Sequence, residues 1–135
     1  MTDEVSTEVV TEVTTEVYLE RRKKWTDALR SGDYEQTHEV LNQNGKMCCL
    51  GVACDLYMKE HGGEWTPSIS LPGAYTFADQ ATVAPKMVME WLGLKSHNGV
   101  YHDMRCLAED NDMGKTFDQI ADIIDSNPKG LFTYA

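Results

Sequence analysis

Residues 45–57 read G-K-M-C-C-L-G-V-A-C-D-L-Y and form the most apolar run of the chain. From Met47 to Tyr57 the only charged side chain is Asp55. Helical spacing places the apolar side chains on two faces: Cys49, Val52, Ala53 and Leu56 on one, and Leu50, Cys54 and Tyr57 on the other. A helix that is apolar nearly all round is usually buried, so this run predicts a central helix over residues 48–57.

Two adjacent cysteines, Cys48 and Cys49, follow the turn signal Asn44-Gly45 and are expected at the start of this helix. There the helix dipole can stabilise a thiolate, and one of the four histidines could act as a base. The alternative function is therefore a cysteine-dependent hydrolase or transferase that uses Cys48 or Cys49. The spacing selects no histidine, and free cysteines often serve as small core side chains, so we favour the core position over catalysis.

No metal site is predicted. A zinc site would draw its ligands from a histidine, Cys48 or Cys49, Cys54 and Cys106. Structural zinc ligands are usually paired two to four residues apart, which is not the spacing of these cysteines. The segment that begins at Asp110 is similar to a calcium-binding loop, but its twelfth position, where such a loop has glutamate, is Ala121. No cofactor of any other kind is expected either.

The composition indicates one acidic domain. The chain has 135 residues, of which 41% are hydrophobic, enough for a single buried core. No apolar run approaches the roughly 18 residues of a membrane span, and the start of the chain is acidic, so we expect a soluble, cytoplasmic protein. The formal net charge of -10 repels phosphate backbones. Nucleic acids and membranes are therefore not expected as partners, and no oligomeric state is predicted.

The first 17 residues repeat a Glu-Val pair at every fourth position. The pairs are Glu4-Val5, Glu8-Val9, Glu12-Val13 and Glu16-Val17. On a strand the glutamates would share one face, whereas on a helix glutamates four positions apart repel one another. The low complexity and the charge indicate a tail that is disordered in isolation. We therefore divide the chain into a tail, residues 1–17, and one globular domain, residues 18–135.

The periodicity predicts further helices on both sides of the central one. A helix over residues 18–30 would bury one face, made of Tyr18, Arg22, Trp25 and Leu29. A short helix follows Pro85 and ends at Gly93. The last helix begins with a capping box between Thr116 and Gln119. Its buried stripe is expected to contain Phe117, Ile120, Ala121 and Ile124.

Short extended segments complete the prediction. Residues 34–41 are expected to form an extended arm, and residues 64–66 and 74–77 could pair as a hairpin. The apolar residues 130–132 are expected to dock on the core. The predicted fold class is therefore α+β, mainly α: a single small domain of three longer helices and one short helix around a buried central helix, with a minor β-hairpin.

Asn111 and Asp112 are candidate functional residues before the last helix. Both residue types form turns, and we expect them to organise the approach to Thr116 by accepting hydrogen bonds from backbone amides. In the functional alternative they line a polar pocket beside Gln36 and the central helix. Gln36, Asn111 and Asp112 are therefore the candidate binding residues.

Four motifs follow one another along the chain. They are W-T-D-A-L-R-S-G-D-Y-E-Q at residues 25–36, G-K-M-C-C-L-G-V-A-C-D-L at 45–56, P-K-M-V-M-E-W-L-G-L at 85–94, and L-A-E-D-N-D-M-G-K-T-F-D-Q-I-A-D-I-I at 107–124. In this order they resemble a family of small uncharacterised proteins encoded mainly by bacteriophages of actinobacteria and by related prophages. The resemblance implies a viral origin. It supplies no catalytic residue, because no activity is attached to the family.

The prediction of function combines these observations. We expect a small phage accessory protein that acts in the host cytoplasm and is not an enzyme. Its partner is expected to be either a host protein or a small signalling molecule. A cysteine-dependent enzyme is kept as the alternative.

Overall fold

A computed structural model of the chain describes residues 13–134. This part contains five helices: α1 (Thr15–Arg30), α2 (Cys49–His61), α3 (Lys86–Leu92), α4 (Leu107–Asp112) and α5 (Phe117–Asp125). Its six short strands are β1 (Asn42–Gln43), β2 (Lys46–Met47), β3 (Thr66–Pro67), β4 (Ala74–Thr76), β5 (Val100–Tyr101) and β6 (Arg105–Cys106). Most of the predicted tail, residues 1–12, lies outside the described residues, so its disorder stays a prediction.

Helix α1 begins three residues before the predicted start at Tyr18. The reason is a cap: the Val17 N–H donates to the side-chain oxygen of Thr14 at 3.3 Å. The last Glu-Val pair of the repeat is therefore helical. The face of α1 that meets the core contains Trp25, which is fully buried and donates from its indole nitrogen to the Cys49 carbonyl oxygen at 3.0 Å.

Helix α2 is the central helix that the apolar run predicted. Its first two turns are fully buried, as shown by Cys49, Leu50, Val52, Ala53 and Cys54, each with no exposed surface. Cys48 is the N-cap and is also buried. Leu56 was expected on the buried face of this helix. It is only partly buried and lines a surface cleft beside Trp91.

Gly51 allows α2 to lie directly against the chain before β1. A methyl group on Gly51 would overlap the carbonyl oxygen of Leu41. Leu41 is fully buried, and its carbonyl oxygen accepts a hydrogen bond from the Cys48 N–H at 3.3 Å. A larger side chain would force α2 away from this contact, so close approach of two backbones explains the glycine.

The strands form two antiparallel sheets. The larger has the order β2-β1-β4-β3, and the smaller pairs β5 with β6. The predicted hairpin is confirmed as β3 and β4, in which Thr66 lies opposite Thr76. The β1–β2 hairpin turns at Asn44 and Gly45, whose φ angles of 51° and 95° are those of a type I′ turn. The sequence did not predict the pairing of β1 with β4, since the two strands are far apart along the chain.

The C-terminal half confirms two helices and adds one. Helix α3 ends at Gly93, whose φ of 74° is left-handed. Helix α5 has the predicted capping box, with the Gln119 N–H bonded to the Thr116 hydroxyl and the Thr116 N–H bonded to the Gln119 side chain. The short helix α4 was not predicted. Its N-cap is Cys106, whose sulfur accepts from the Glu109 N–H at 3.4 Å, and cysteine is not a residue that signals a helix start.

The end of the chain docks on the core, as predicted. Leu131 is fully buried and Phe132 nearly so. The Lys95 N–H donates to the Leu131 carbonyl at 3.0 Å, and the Thr133 N–H donates to the Gly93 carbonyl at 2.6 Å. The α+β, mainly α class of a single small domain is thus confirmed for residues 13–134. None of the helices in this part of the chain is long and apolar enough to cross a lipid bilayer.

Candidate functional site

The structure brings two of the three candidate binding residues into direct contact. The Gln36 side-chain amide donates to Asn111 Oδ1 at 2.9 Å and to the Lys115 carbonyl at 2.8 Å. Asn111 Oδ1 also accepts from the Cys49 N–H at 3.2 Å, and its Nδ2 donates to the Thr37 carbonyl at 2.8 Å. Asn111 is fully buried, so these bonds tie α4 and the start of α2 to residues 36–37. The prediction of an extended arm over residues 34–41 was wrong beyond this point, because the chain bends from residue 38 onward.

Asp112 lies beside this junction and bonds to the bend that follows residue 37. Its Oδ1 accepts from the Glu39 N–H at 2.7 Å, and Glu39 has a left-handed φ of 71°. Asn111 and Asp112 are the last two residues of α4, so the expectation that they form a turn was wrong. They do accept bonds from backbone amides, as expected. That Gln36, Asn111 and Asp112 bind a ligand stays a prediction, and their described bonds are all internal.

The cysteines of α2 lie in an environment that disfavours thiolates. Burial raises the pKa of Cys48 to about 11 and that of Cys49 well above its ordinary value. The Cys49 thiol is directed at the Leu107 carbonyl, with 3.7 Å between sulfur and oxygen. At neutral pH both groups are therefore thiols, which are poor nucleophiles. Within residues 13–134 no three His, Cys, Asp or Glu side chains are grouped so that they could hold a metal ion.

Asp55, the lone charge in the apolar run, has three polar partners that the sequence did not reveal. Its carboxylate accepts from the Tyr34 hydroxyl at 2.6 Å and from the Trp65 indole at 3.4 Å, and lies 3.3 Å from the Lys59 ammonium. Burial and the bond to Asp55 raise the pKa of Tyr34. The only feature of the sequence that points to this cluster is the single charge of Asp55 in an otherwise apolar run. These bonds hold Tyr34 and Trp65 against α2, and the Asp55 side chain is largely buried.

Two adjoining clefts lie beside the docked end of the chain, and we call them the C-terminal clefts. The first has a volume of about 310 Å³ and is lined by Lys95, Asn127, Lys129, Phe132, Thr133 and Tyr134, among others. The second has a volume of about 420 Å³ and is lined by Tyr18, Met89, Glu90, Leu94, Lys95 and Thr133, among others. Lys95 and Thr133 belong to both, so the two form one continuous surface.

Stacked aromatic rings form one wall of these clefts. The ring of Tyr134 stacks on Tyr18 and on Phe132, with 5.0 Å between centroids in each pair. Gly93 makes room for this stack, because a methyl group there would lie 3.0 Å from the Tyr134 ring. The guanidinium of Arg22 lies 5.8 Å from the Phe132 centroid. The wall is therefore both aromatic and positively charged.

The two lysines of the C-terminal clefts form no ion pair with a carboxylate of the described residues. Among residues 13–134 no carboxylate lies within 4.0 Å of the ammonium group of Lys95 or Lys129. Glu90 lines the second cleft, but its carboxylate already lies 3.8 Å from the Lys86 ammonium. Within the described residues, Lys95 and Lys129 therefore have no ion-pair partner.

In two other clefts most of the lining cations have a described carboxylate partner. In the cleft of about 290 Å³ beside Trp91, Lys24 is paired with Glu60 at 3.2 Å. In the cleft of about 380 Å³ between α1 and α5, Arg30 is paired with Asp122 and Asp125, each at 2.7 Å. Sequence reasoning missed the C-terminal clefts, because Lys95 and Lys129 meet only after the chain end has docked on α3.

Comparison with known proteins gives a family and no function. A sequence model of the family described as "Domain of unknown function (DUF8296)" matches residues 18–128. The match includes the Gln36–Asn111 junction, all of α2 and Lys95, and it stops just before Lys129. No curated protein and no solved structure matches the sequence.

Proposed function

The chain belongs to the DUF8296 family of domains of unknown function, and from its own residues we propose that it is a phage accessory protein that binds a small phosphorylated molecule of its host. The observation that carries this proposal is the pair of lysines in the C-terminal clefts, Lys95 and Lys129, which have no described carboxylate partner. The protein is proposed to act in the host cytoplasm as a non-enzymatic binder.

The charge of the clefts favours an anion. Several cations elsewhere on the described surface already have a carboxylate partner, and an anion would have to compete with that ion pair; they are Lys23, Lys24, Arg30, Lys59 and Lys86. At Lys95 and Lys129 an incoming phosphate would replace only water, because no described carboxylate has to be displaced. Single exposed ion pairs contribute about 0.2 to 1 kcal/mol, so a useful affinity requires both lysines together.

The size of the clefts favours a small molecule over a polymer. Volumes of about 310 and 420 Å³ are in the range of ligand pockets. A nucleic acid would extend beyond the clefts over a protein whose formal net charge is -10. Long-range repulsion opposes such a polyanion, whereas a single phosphate group experiences mainly the local field.

The walls of the clefts favour a ligand that also has an apolar part. Met89 and Leu94 line the second cleft, and Phe132 and Tyr134 line the first. A ligand that combines a phosphate with a heterocycle, such as a nucleotide, would use both kinds of surface.

The phage origin and the role as an accessory protein are supported by the four sequence motifs quoted above. The family gives no function, so the partner is inferred from the clefts alone. Between the two kinds of partner expected from the sequence, the clefts favour the small molecule. A host protein is kept as an outcome of the test.

Isothermal titration of the intact chain with AMP and with adenosine tests the proposal. We expect AMP to bind and adenosine, which lacks the phosphate, to bind at least about tenfold more weakly. Lys95→Glu should weaken AMP binding about five- to tenfold. Lys46→Glu is the matched control, since Lys46 is an exposed lysine on β2 that lines neither cleft.

Native mass spectrometry of the protein with a host small-molecule extract would then identify the natural ligand. Equal binding of AMP and adenosine, or no loss in Lys95→Glu, would refute the phosphate site. A host protein that is captured by the parent chain and lost in Lys95→Glu would point to a macromolecular partner and contradict the small-molecule proposal.

A further inference from the structure

We propose that Arg22 is a further phosphate-binding residue beside the C-terminal clefts and that the ligand is a nucleoside diphosphate. This role rests on the proposed function of the clefts, and it adds a residue and a ligand class that the two lysines alone do not specify. The second phosphate group of such a ligand would extend past the ring of Phe132 to the guanidinium of Arg22.

Arg22 lies against the aromatic wall of the first C-terminal cleft. Its guanidinium carbon is 5.8 Å from the centroid of the Phe132 ring. Burial raises the pKa of the Tyr134 hydroxyl, and the charge of Arg22 opposes this rise, so the guanidinium also lies close to that hydroxyl. Phe132 and Tyr134 both line the first cleft. Arg22 therefore borders this cleft at its aromatic wall.

The cleft that Arg22 lines, between α1 and α5, adjoins the first C-terminal cleft at the end of α5. Asp125 lines the cleft between the helices, and Asn127 lines the first C-terminal cleft. Two steps along the chain span at most about 7 Å, and Lys129 is only two further steps away. The surface from Lys129 to Arg22 is therefore short, and it passes the ring of Phe132.

The carboxylates beside Arg22 are already engaged by other cations. Asp27 and Asp125 line the cleft between α1 and α5, but Asp27 pairs with Lys23 at 2.8 Å and Asp125 pairs with Arg30 at 2.7 Å. Among residues 13–134 no carboxylate lies within 4.0 Å of the guanidinium of Arg22. A phosphate that reaches Arg22 would therefore displace no described carboxylate.

The neighbouring arginine, Arg21, is held elsewhere. It also lacks a carboxylate partner among the described residues, but its guanidinium donates to the Trp91 carbonyl oxygen at 2.9 Å. It lies 5.5 Å from the centroid of the Trp91 ring as well. These contacts direct Arg21 to α3, so we assign the second phosphate to Arg22.

The chemistry of arginine suits this role. The planar guanidinium presents its N–H donors as a fork that can bind two phosphate oxygens at once, whereas a lysine ammonium acts as a point charge. Arg22 is half-buried, and partial exclusion of water strengthens a charge-assisted hydrogen bond. One added contact of this kind should increase the affinity about tenfold.

Isothermal titration of the intact chain with AMP and with ADP tests the role of Arg22. We expect ADP to bind the parent about tenfold more tightly than AMP does. Arg22→Gln should reduce this ratio to about two, while the affinity for AMP changes by less than about twofold. Lys23→Gln is the matched control, since it removes the same charge from the next residue of α1 and should keep the parental ratio.

Two further measurements complete the test. Arg22→Lys keeps the charge but loses the fork, so its ratio should fall below that of the parent, and this variant decides the question if Arg22→Gln does not fold. Inorganic pyrophosphate has both phosphates but no nucleoside, and it should bind more weakly than ADP. Pyrophosphate that binds as tightly as ADP would overturn the assignment of a nucleoside diphosphate.

Equal affinities of the parent for AMP and ADP, or a parental ratio in the Arg22 variants, would overturn the role of Arg22. An equal loss of the ratio in Arg22→Gln and Lys23→Gln would also contradict it, since net charge alone would then be responsible. In each case, binding of AMP that depends on Lys95 would leave the proposed function standing. ADP binding that is weakened by Arg22→Gln but not by Lys95→Glu would do the reverse, so the two failures are distinguishable.

Discussion

The side-chain oxygen of Asn111 lies 3.2 Å from the backbone nitrogen of Cys49 and caps the central helix from outside that helix. Cys48 occupies the N-cap position but forms no side-chain cap bond, so Asn111 supplies the acceptor that is missing there. A neutral amide therefore occupies the helix start that could otherwise stabilise a thiolate. The sequence suggested two separate candidate sites, the Cys48-Cys49 pair and Asn111. This hydrogen bond joins them into one structural junction.

Asn111→Ala should lower the free energy of unfolding by about 2 to 4 kcal/mol, because Cys49, Thr37 and Gln36 each lose a buried partner. Asn111→Asp should also be destabilising, since the Thr37 carbonyl loses its donor and a carboxylate is buried. Urea unfolding measures both. Gln80→Ala at an exposed side chain is the control and should change stability by less than about 0.5 kcal/mol. An Asn111→Ala variant of parental stability would contradict the structural role.

Gly51→Ala should destabilise the protein by more than about 2 kcal/mol, although alanine favours helices over glycine by about 1 kcal/mol. The added methyl group would overlap the Leu41 carbonyl and push α2 away from the chain before β1. Thermal unfolding checks this expectation. Glu60→Ala, near the exposed end of the same helix, loses the exposed ion pair with Lys24 and should change the stability by less than about 1 kcal/mol. A higher melting temperature for Gly51→Ala would show that the close contact is absent.

The loss of stability caused by a substitution in α2 should depend on how deeply the replaced side chain is buried and on its size. Cys49→Ala should cost about 1 kcal/mol, and Leu50→Ala about 2 to 5 kcal/mol, since both residues are fully buried but differ in size. Leu56→Ala should cost less than about 2 kcal/mol, because Leu56 is only partly buried. Cys49→Asp should be the most destabilising of the four. Chemical unfolding ranks them, and a Cys49→Asp variant as stable as the parent would refute the buried position.

The thiols of Cys48 and Cys49 should not react with iodoacetamide near neutral pH while the protein is folded. Burial raises the pKa of Cys48 from 9.0 to about 11, so almost no thiolate is present at pH 7. The folded state holds this proton more tightly than the unfolded state does. The stability contributed by Cys48 is therefore complete below about pH 8 and is lost as the pH rises from 9 towards 11.

Peptide mapping by mass spectrometry after labelling tests the cysteine-dependent alternative. Cys106, which is partly exposed, provides an internal positive control in the same sample. Rapid native labelling of Cys48 or Cys49 would revive the enzyme hypothesis. If Cys48 and Cys49 are labelled only after denaturant is added, the cysteine-dependent enzyme hypothesis is refuted.

The sequence predicted those elements that are determined by local pattern. The apolar run gave α2, Gly93 ended α3, and the Thr116–Gln119 box began α5, because each signal lies within a few residues of its effect. Helix α1 began early because Thr14 was part of an acidic repeat and was not recognised as a cap. Helix α4 was missed because its N-cap is a cysteine.

The parts that could not be predicted depend on distant contacts. Gln36 and Asn111 were named together, and they do meet, but the sequence could not show that Asn111 would use its whole amide internally. The C-terminal clefts exist only where Thr133 bonds to Gly93, which places the chain end against α3. Gly93 and Thr133, which are 40 residues apart along the chain, then belong to one surface. A pattern of neighbouring residues cannot predict such a contact.

An NMR titration of the full chain with AMP, followed amide by amide, tests the central claim that ligand binds at the C-terminal clefts. We predict saturable shifts at Lys95, Gly130 and Thr133, with Gln36, Asn111 and Asp112 unchanged, and loss of these shifts in Lys95→Glu. Shifts centred on Gln36, Asn111 and Asp112, with none at Lys95 or Thr133, would contradict the claim and place the site at the junction above the central helix.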